Sequence, residues 1–206
     1  MNDIDIDELR EKLPEVWAYV SVDIETTGPN PSGHSMLSIG ACTLSRPRNT
    51  FYIELKPLSS NFTHEAMQTH HLNLDTLAKT GSEPAAAMEN FEYWLSTAIP
   101  GNIPPIFVGF NASFDWMFVN DYFHRFMGHN PFGHNALDIK AFYMGLIHGS
   151  WAQSSMKKVN HHYLDFKSQG LSHHALQDAI DQATMFEKML VEAARYNCTI
   201  GESNHA

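Results

Sequence analysis

The sequence predicts an α/β domain in which helices flank a mixed sheet that is antiparallel at its start and parallel afterwards. Three strand-like segments open the chain, and helix-like and strand-like segments then alternate up to a closing helix. The short connection between the second and third strands suits an antiparallel hairpin. A later strand that follows a helix indicates a parallel crossover.

The three opening strands are predicted from runs of aromatic and β-branched residues. The first strand covers residues 17–25, the second 35–44 and the third 50–56. A turn rich in glycine and proline, residues 28–33, follows the first strand, and residues 46–49 connect the second strand to the third.

The middle of the chain is predicted from periodic apolar residues and capping signals. Pro84 suits the first turn of a helix whose apolar residues recur over 85–97. Residues 105–110 are typical of a buried strand. Asn111 is a candidate N-cap of the helix that follows and continues to about Phe126.

The second half carries fewer signals. A shorter helix is expected over 138–147, whereas the polar stretch 148–170 favours no element. Ser172 is a candidate cap of a closing helix that runs to about Ala194. The remaining residues, 196–206, are expected to form a loose tail.

The composition indicates one globular domain over the 206 residues, since 43% of them are hydrophobic and 17% are charged. Its core is expected over 17–194, after a short N-terminal leader. No apolar run is long enough to span a bilayer, and the opening MNDIDIDELREKLPE is too acidic for a signal peptide. Cys42 and Cys198 are the only cysteines, which favours a reduced, cytoplasmic setting.

The formal net charge of −10 limits the ways in which this chain can bind nucleic acid. Phosphate contacts usually come from Lys and Arg, so a long, sequence-independent binding surface is disfavoured. Cations bound at an acidic site would reverse the charge locally. The charge therefore leaves a metal-dependent nuclease with a weak or local grip as an option.

Two carboxylates stand near the end of the first strand. Asp23 and Glu25 are two positions apart, so their side chains project from the same face. Carboxylates that are buried together repel each other and are costly without cations. Exposure at a solvent edge would remove the cost. However, the apolar run 18–22 leads into the pair and a turn follows, as at many sites of α/β proteins.

A third carboxylate, Asp115, falls in the first turn of the helix that Asn111 is expected to cap. Taken alone, such an acid is more simply explained as a complement to the helix dipole. The flanking Phe114 and Trp116 indicate a partly buried neighbourhood, which leaves a role in a site open.

His173 and Asp178 stand at the start of the closing helix. Side chains five residues apart are about 140° apart on a regular helix, so the two cannot share a face within it. With Ser172 as the cap, His173 would lie at the flexible start and could turn toward the site that Asp178 faces. A capped helix with a solvated histidine is the alternative, and the neighbouring His174 is expected to point elsewhere.

Three motifs, in this order, resemble those of the DEDDh exonucleases, which include the proofreading subunit of the bacterial replicative polymerase and ribonuclease T. The motifs are DIETTG from Asp23, NASFD from Asn111 and HHALQDA from His173. Weaker similarity covers HEAMQTHHL at 64–72, and NPFGHNALDIKAFYMGL at 130–146 looks like the matching part of ribonuclease T. The resemblance spans about 17–194.

The resemblance implies a ribonuclease H-like fold and a two-metal mechanism. The acids that match the family's metal ligands are Asp23, Glu25, Asp115 and Asp178, and His173 matches the general base. Oxygen ligands suit Mg²⁺ or Mn²⁺ better than Zn²⁺. Two such ions about 3.5–4 Å apart would neutralise the acids and the charge that builds on the scissile phosphate. A histidine, with an ordinary pKa of about 6.5, suits proton removal from water.

Further positions are interpreted through the resemblance alone. The backbone at Thr26 and Thr27 would lie against the terminal nucleotide, although both also suit ordinary turn positions. Asp138 matches another family aspartate and is expected to support the site indirectly or to be structural. Two positions depart from the family, since Gly-Phe at 109–110 replaces alanine-histidine and His71 replaces glycine.

The partner that the resemblance implies is the 3′ end of single-stranded RNA or DNA, from which nucleoside monophosphates are released. The segment similar to ribonuclease T favours RNA trimming. The alternatives are a DNA proofreading or repair subunit that partners hold on DNA, and an exonuclease of short oligonucleotides. The sequence leaves the oligomeric state open, with a homodimer as the candidate assembly.

Two other functions compete with the nuclease. A haloacid dehalogenase-type phosphatase has a similar acidic strand end, but that family needs a Gly-Asp motif and this sequence contains no Gly-Asp dipeptide. A binding protein that kept the fold and lost catalysis is disfavoured, because all the expected acids and the histidine are present.

Overall fold

The computed structural model describes most of the chain. The described residues are Ile6, Leu9, 14–44, 46–101, 103–164 and 173–203. The predicted cap Ser172 lies outside them, as does most of the predicted N-terminal leader. Across the described ranges, no helix combines the length and the apolar character that a membrane crossing requires.

Five strands form one mixed sheet at the centre of the fold. They are β1 (Tyr19–Thr26), β2 (Met36–Thr43), β3 (Thr50–Glu54), β4 (Ile106–Gly109) and β5 (Ala136–Asp138). Their order across the sheet is β3-β2-β1-β4-β5. β2 pairs antiparallel with both β1 and β3, whereas β4 runs parallel to β1 and to β5. These pairings confirm the mixed sheet, the opening hairpin and the parallel crossover.

Helices fill the connections between the strands and complete the chain. Among the described residues they are α1 (His64–Thr69), α2 (Leu74–Thr80), α3 (Pro84–Ala98), α4 (Ser113–Met127), α5 (Ile139–Leu146), α6 (Met156–Tyr163) and α7 (Ala175–Ser203). Short 3₁₀ turns lie at Pro14–Ala18 and Trp151–Gln153. Pro84 opens α3 as predicted.

The helices pack on both faces of the sheet. On one face, Val22 of β1 belongs to a buried cluster with Phe91 of α3 and Phe118 of α4. On the other face, Val108 of β4 belongs to a second cluster with Phe186 of α7. Because strand side chains alternate, the residues of β1 on either side of Val22 face α7. The acids of β1 therefore project toward the closing helix.

The prediction that Asn111 is an N-cap is wrong. Helix α4 begins at Ser113 with Ala112 as its N-cap, and Asn111 has a φ of 57°, in the left-handed region. The chain reverses between β4 and α4, so the residue at 111 must tolerate a positive φ. Asparagine does so better than most residues, which explains its place here without a capping role.

Several boundaries differ from those predicted. The sequence patterns do not reveal β5, α1 and α2, which are too short to show a clear period. The stretch 148–170 contains a 3₁₀ turn and α6. The loose tail predicted over 196–206 is wrong up to Ser203, because α7 continues that far. Neither proline nor glycine interrupts this helix before Gly201.

Gly40 lets α7 approach the sheet closely. In β2 it lies opposite Asp23 of β1. A Cβ atom at this position would lie 2.1 Å from backbone atoms of Ala175 and Leu176, in the first turn of α7. The glycine therefore sets the distance between that turn and the part of β1 that carries Asp23.

We expect Gly40→Ala to lower the free energy of unfolding by about 1–3 kcal/mol, because the added methyl group would displace backbone that cannot rotate away. Urea or thermal unfolding measures this loss. Gly145→Ala is the matched control, since Gly145 lies in α5 with open space around the added atom. That change should be neutral or stabilising. Equal stability of Gly40→Ala and the wild-type protein would contradict the close packing of α7 on β2.

Candidate active site

Asp23 and Glu25 lie on the face of β1 that α7 covers. Glu25 is only 8% exposed, and it retains its pairing with Ser38 of β2. The register between β1 and β2 shifts after Glu25, where the strand ends. The alternation of the strand thus brings both carboxylates to one face of β1, as the sequence predicts.

Asp115 approaches the same spot from the other side of β1. It lies in the first turn of α4, as predicted, and is buried. Its Oδ1 accepts a hydrogen bond of 3.1 Å from the backbone N–H of Ile24. The pairing of β4 with β1 extends only to Ser21, so α4 begins beyond it and its first turn contacts the strand that carries Asp23.

Asp178 of α7 and His173, which precedes that helix, complete the cluster. Asp178 lies in the first turn of the helix and is buried. His173 precedes the helix and has a φ of 52°, a left-handed conformation that breaks the helical spacing. One ligand atom each of Glu25, His173 and Asp178 lie within 4.8 Å of one another. The structure thus brings together the two residues that a regular helix would separate.

The neighbouring His174 turns away from the carboxylates. Its ring stacks on that of Tyr52 in β3, with 4.6 Å between the ring centroids and 22° between the planes. The sequence prediction that His173 rather than His174 faces the site therefore agrees with the geometry.

The buried carboxyl groups raise one another's proton affinity. Burial, followed by the charges of Asp115, Glu25 and Asp178, raises the pKa of Asp23 well above its ordinary value. Burial and then the charges of Asp178 and Asp115 raise the pKa of Glu25 to about 8. Burial also raises the pKa of Asp115 to about 7, against the hydrogen bond from Ile24. A bound cation would relieve this repulsion.

The donor set suits hard divalent cations. The side chains of Asp23, Glu25, Asp115 and Asp178 offer carboxylate oxygens, which Mg²⁺ and Mn²⁺ prefer. Four acids in one buried place are far more acceptable electrostatically when cations stand among them. The chemistry of the residues therefore fits a divalent-metal site.

Gln182 is a site residue that the sequence patterns do not reveal. It is buried one helical turn after Asp178, and its Nε2 donates a 2.7 Å hydrogen bond to Oδ1 of Asp23. Its Oε1 accepts a 2.9 Å hydrogen bond from the backbone N–H of Phe110. Because the amide nitrogen has an acceptor as its partner and the amide oxygen has a donor, the orientation of the amide is fixed. The i, i+4 spacing from Asp178 is the signal that could have identified it.

A pocket of about 370 Å³ opens beside Glu25, and α1 supplies one of its walls. Thr26 lines it, whereas the side chain of Thr27 is buried and its Oγ1 accepts a hydrogen bond from the N–H of Ser35. Of the two threonines that the resemblance assigns to the terminal nucleotide, Thr26 lines the pocket. The side chain of Thr27 is instead engaged in a turn. Phe114 also lines the pocket.

His70 is a second residue that sequence reasoning misses. It is buried in the wall of the pocket, and its Nδ1 accepts a hydrogen bond from the N–H of Leu72. Its Nε2 therefore carries the proton and donates it to the carbonyl oxygen of Thr26, 3.1 Å away. Burial lowers the pKa of His70, which favours the neutral ring that this pattern requires.

Asp138 ends β5 close to the cluster. Its Oδ1 accepts hydrogen bonds from the N–H groups of Lys140 and Ala141, so the residue is the N-cap of α5 rather than part of the helix. Its charge is also among the causes that raise the pKa of Asp115. The carboxylate of Asp138 is thus engaged in capping α5.

Comparisons with known proteins agree with one another. A family model described as Exonuclease (RNase_T) matches residues 20–186. The 3′-5′ DNA exonuclease Cap18 of Escherichia coli is 45% identical over 171 residues, which cover 82% of this chain and 89% of that protein.

Solved structures share the fold at low identity. Cell-death related nuclease 4 (CRN-4) has a TM-score of 0.66 at 18% identity, and the match covers 84% of this chain and 63% of that one. The nuclease domain of 3′hExo, a DEDDh family member bound to rAMP, has a TM-score of 0.68 at 14% identity, over 84% of this chain and 90% of that one. These matches confirm the ribonuclease H-like architecture that the motifs imply.

We expect the metal-free protein to lose stability as the pH rises from about 5 to 8. In this range Glu25 keeps a proton in the folded protein, where its pKa is about 8, but has lost it in the unfolded chain. Raising the pH therefore stabilises the unfolded state relative to the folded state. Glu25→Gln should therefore be more stable than the wild-type protein at pH 8, by on the order of 2 kcal/mol, and similar at pH 5.

Urea unfolding in a chelator, at several pH values, measures this difference. Glu89→Gln is the control, because Glu89 is an exposed glutamate of α3. Parallel stability curves for the wild-type protein and Glu25→Gln would contradict the raised pKa. Addition of Mg²⁺ or Mn²⁺ should stabilise the wild-type protein more than the variant.

Proposed function

The chain belongs to the RNase_T exonuclease family, and we propose that this 3′→5′ exonuclease removes mononucleotides from single-stranded DNA with two divalent cations. The observation that carries the proposal is the approach of Asp115 and Asp178 to the two acids of β1. Asp115 accepts a hydrogen bond from the N–H of Ile24, and an oxygen of Asp178 lies within 4.8 Å of one of Glu25. Exonucleases of this family use divalent metal ions.

We propose DNA rather than RNA as the substrate because the relative that is 45% identical is a DNA exonuclease. That identity extends over most of both chains, whereas the likeness to ribonuclease T rests on one segment. RNA trimming remains the alternative, and so does action on short oligonucleotides. Cleavage as part of a larger DNA-bound assembly is compatible with the weak grip that a net charge of −10 implies.

Asp23, Glu25, Asp115 and Asp178 would hold the cations. When bound, the ions supply an activated water and stabilise the charge on the phosphate and on the departing 3′ oxygen. The residues themselves contribute a rigid set of oxygen ligands. The hydrogen bond from Ile24 orients Asp115, and that from Gln182 orients Asp23.

His173 would act as the general base. One of its ring nitrogens lies with the carboxylates of Glu25 and Asp178, where the attacking water is expected. Its position before α7 leaves the ring on a short turn rather than on the rigid helix. Removal of a proton from the water by a neutral imidazole is effective near neutral pH.

The pocket beside Glu25 would receive the terminal nucleotide. His70 holds the carbonyl of Thr26 in the wall of this pocket, so the backbone there has a fixed position. Phe114 is 38% exposed and presents an aromatic ring on which a base can stack. Neither contact reads sequence, which suits an enzyme that removes nucleotides of every kind.

The experiment that tests the proposal follows the degradation of 5′-labelled single-stranded and duplex DNA and RNA with Mn²⁺ or Mg²⁺. We expect a ladder that shortens from the 3′ end of single-stranded DNA and no cleavage by Asp23→Asn. A preference for RNA would favour the trimming alternative. Absence of release from every strand, with metal binding intact, would favour a binding protein.

We expect His173→Ala to reduce the cleavage rate by a factor on the order of 10²–10⁴, the usual contribution of a general base. His174→Ala is the matched control, because this neighbouring ring stacks on Tyr52 and should matter little to the rate. Single-turnover cleavage measures both variants. A larger reduction in His174→Ala would contradict the assignment of the base.

A further inference from the structure

An acidic chain that acts on nucleic acid needs a local surface for the strand. The segment 139–164 contains no Asp or Glu, three lysines and three histidines, although the net charge of the chain is −10. The structure describes the whole of this segment, which includes α5, the 3₁₀ turn and α6. It is therefore a candidate region for phosphate contacts.

Two lysines of this segment meet at an exposed tryptophan. The Nζ of Lys140 lies 3.5 Å from the ring centroid of Trp151, a cation–π contact. Lys158 donates a 3.0 Å hydrogen bond from its Nζ to the carbonyl oxygen of Ala152, the residue next to this tryptophan. We call Lys140, Trp151 and Lys158 the lysine–tryptophan surface.

The lysines of this surface differ from several other cations of the described chain. Arg48 and Arg46 pair with Glu187, and Arg125 pairs with Asp121. Within the described ranges, neither Lys140 nor Lys158 forms an ion pair with a carboxylate. Their charge is therefore available to a partner from solution.

Lys140 places one end of the lysine–tryptophan surface two residues from Asp138. Asp138 caps α5, and Lys140 stands in the first turn of that helix. Asp138 pairs with Gly109 at the end of β4, and α4, which carries Asp115 in its first turn, begins four residues after Gly109, so α5 and α4 start close to each other. Consecutive Cα atoms are about 3.8 Å apart, so the backbone of Lys140 is within about 8 Å of that of Asp138.

We propose that single-stranded DNA upstream of the cleaved nucleotide crosses the lysine–tryptophan surface. This inference rests on the proposed function, because it assigns a path to the strand whose 3′ end enters the carboxylate cluster. Aromatic side chains and cations are the combination that holds single strands without sequence readout, through base stacking and phosphate contacts. Lys140 contacts the ring of Trp151, yet Trp151 is still 57% exposed, which leaves surface on which a base can stack.

The path also agrees with the overall charge. A strand that extended across the rest of this acidic chain would meet repulsion, whereas the acid-free segment is adjacent to the site and carries the unpaired lysines. The grip should therefore be short, covering a few nucleotides beyond the terminal one.

The test measures binding and cleavage of single-stranded DNA of about three, six and twelve nucleotides, a range set by typical site sizes. Binding is followed by fluorescence anisotropy in a cleavage-deficient Asp23→Asn background, and kcat and KM are measured with otherwise wild-type protein. The variants are Trp151→Ala, Trp151→Phe and the double change Lys140→Ala with Lys158→Ala. The matched controls are Tyr93→Ala and Lys79→Ala, which remove an exposed aromatic from α3 and an exposed lysine from α2.

We expect Trp151→Ala to raise the Kd and the KM for the twelve-nucleotide strand on the order of 5-fold to 100-fold, with Trp151→Phe largely retaining affinity. The effect should shrink for the trinucleotide. The double lysine variant should reduce the slope of log K against log salt by about 0.7 for each phosphate that a lysine no longer neutralises.

The outcomes separate the two proposals. If the wild-type protein releases nucleotides but Trp151→Ala binds the longest strand as Tyr93→Ala does, the strand path is wrong and the nuclease stands. If the double lysine variant and Lys79→Ala show the same slope of log K against log salt, the proposed phosphate contacts of Lys140 and Lys158 are also contradicted. If the wild-type protein cleaves no strand, the proposed function itself fails.

Discussion

Repulsion among buried carboxylates is the constraint on which this structure depends. Burial raises the pKa of Asp23, Glu25 and Asp115, and the charges of neighbouring acids raise it further, so the folded chain holds these groups together against an electrostatic cost. Packing elsewhere must supply the free energy. The two buried clusters on either side of the sheet do so, and the repulsion is concentrated where a cation would remove it.

The architecture resolves this constraint by fixing the four acids through three different elements. β1 sets the spacing of its two acids, the first turn of α4 brings Asp115 to the N–H of Ile24, and the first turn of α7 brings Asp178. Gly40 permits the last of these approaches, because any side chain there would meet the backbone of α7. A single missing Cβ thus governs whether the third element reaches the other two.

The sequence was sufficient where the signal is local. Alternation along β1 predicts that Asp23 and Glu25 share a face, and the hairpin, the crossover and the proline of α3 follow from short patterns in the same way. The patterns fail where a partner is distant in the chain. The hydrogen bond between Gln182 and Asp23 joins residues 159 positions apart. The hydrogen bond between His70 and Thr26 depends on the position of α1, a helix too short to show a periodic pattern in the sequence. At Asn111 the local signal itself was ambiguous, because asparagine is common both at helix N-caps and at positions with a positive φ.

The amide of Gln182 has a consequence for which side chains this position can accept. A glutamate has the same shape, but it would face Asp23 with another negative oxygen instead of an N–H donor. A leucine or methionine would fill the space and leave the N–H of Phe110 without an acceptor in a buried place. Asparagine is one methylene shorter and cannot span both partners at their present separation. Tolerance at this position should therefore be narrow, and it should be set by hydrogen-bond polarity rather than by volume.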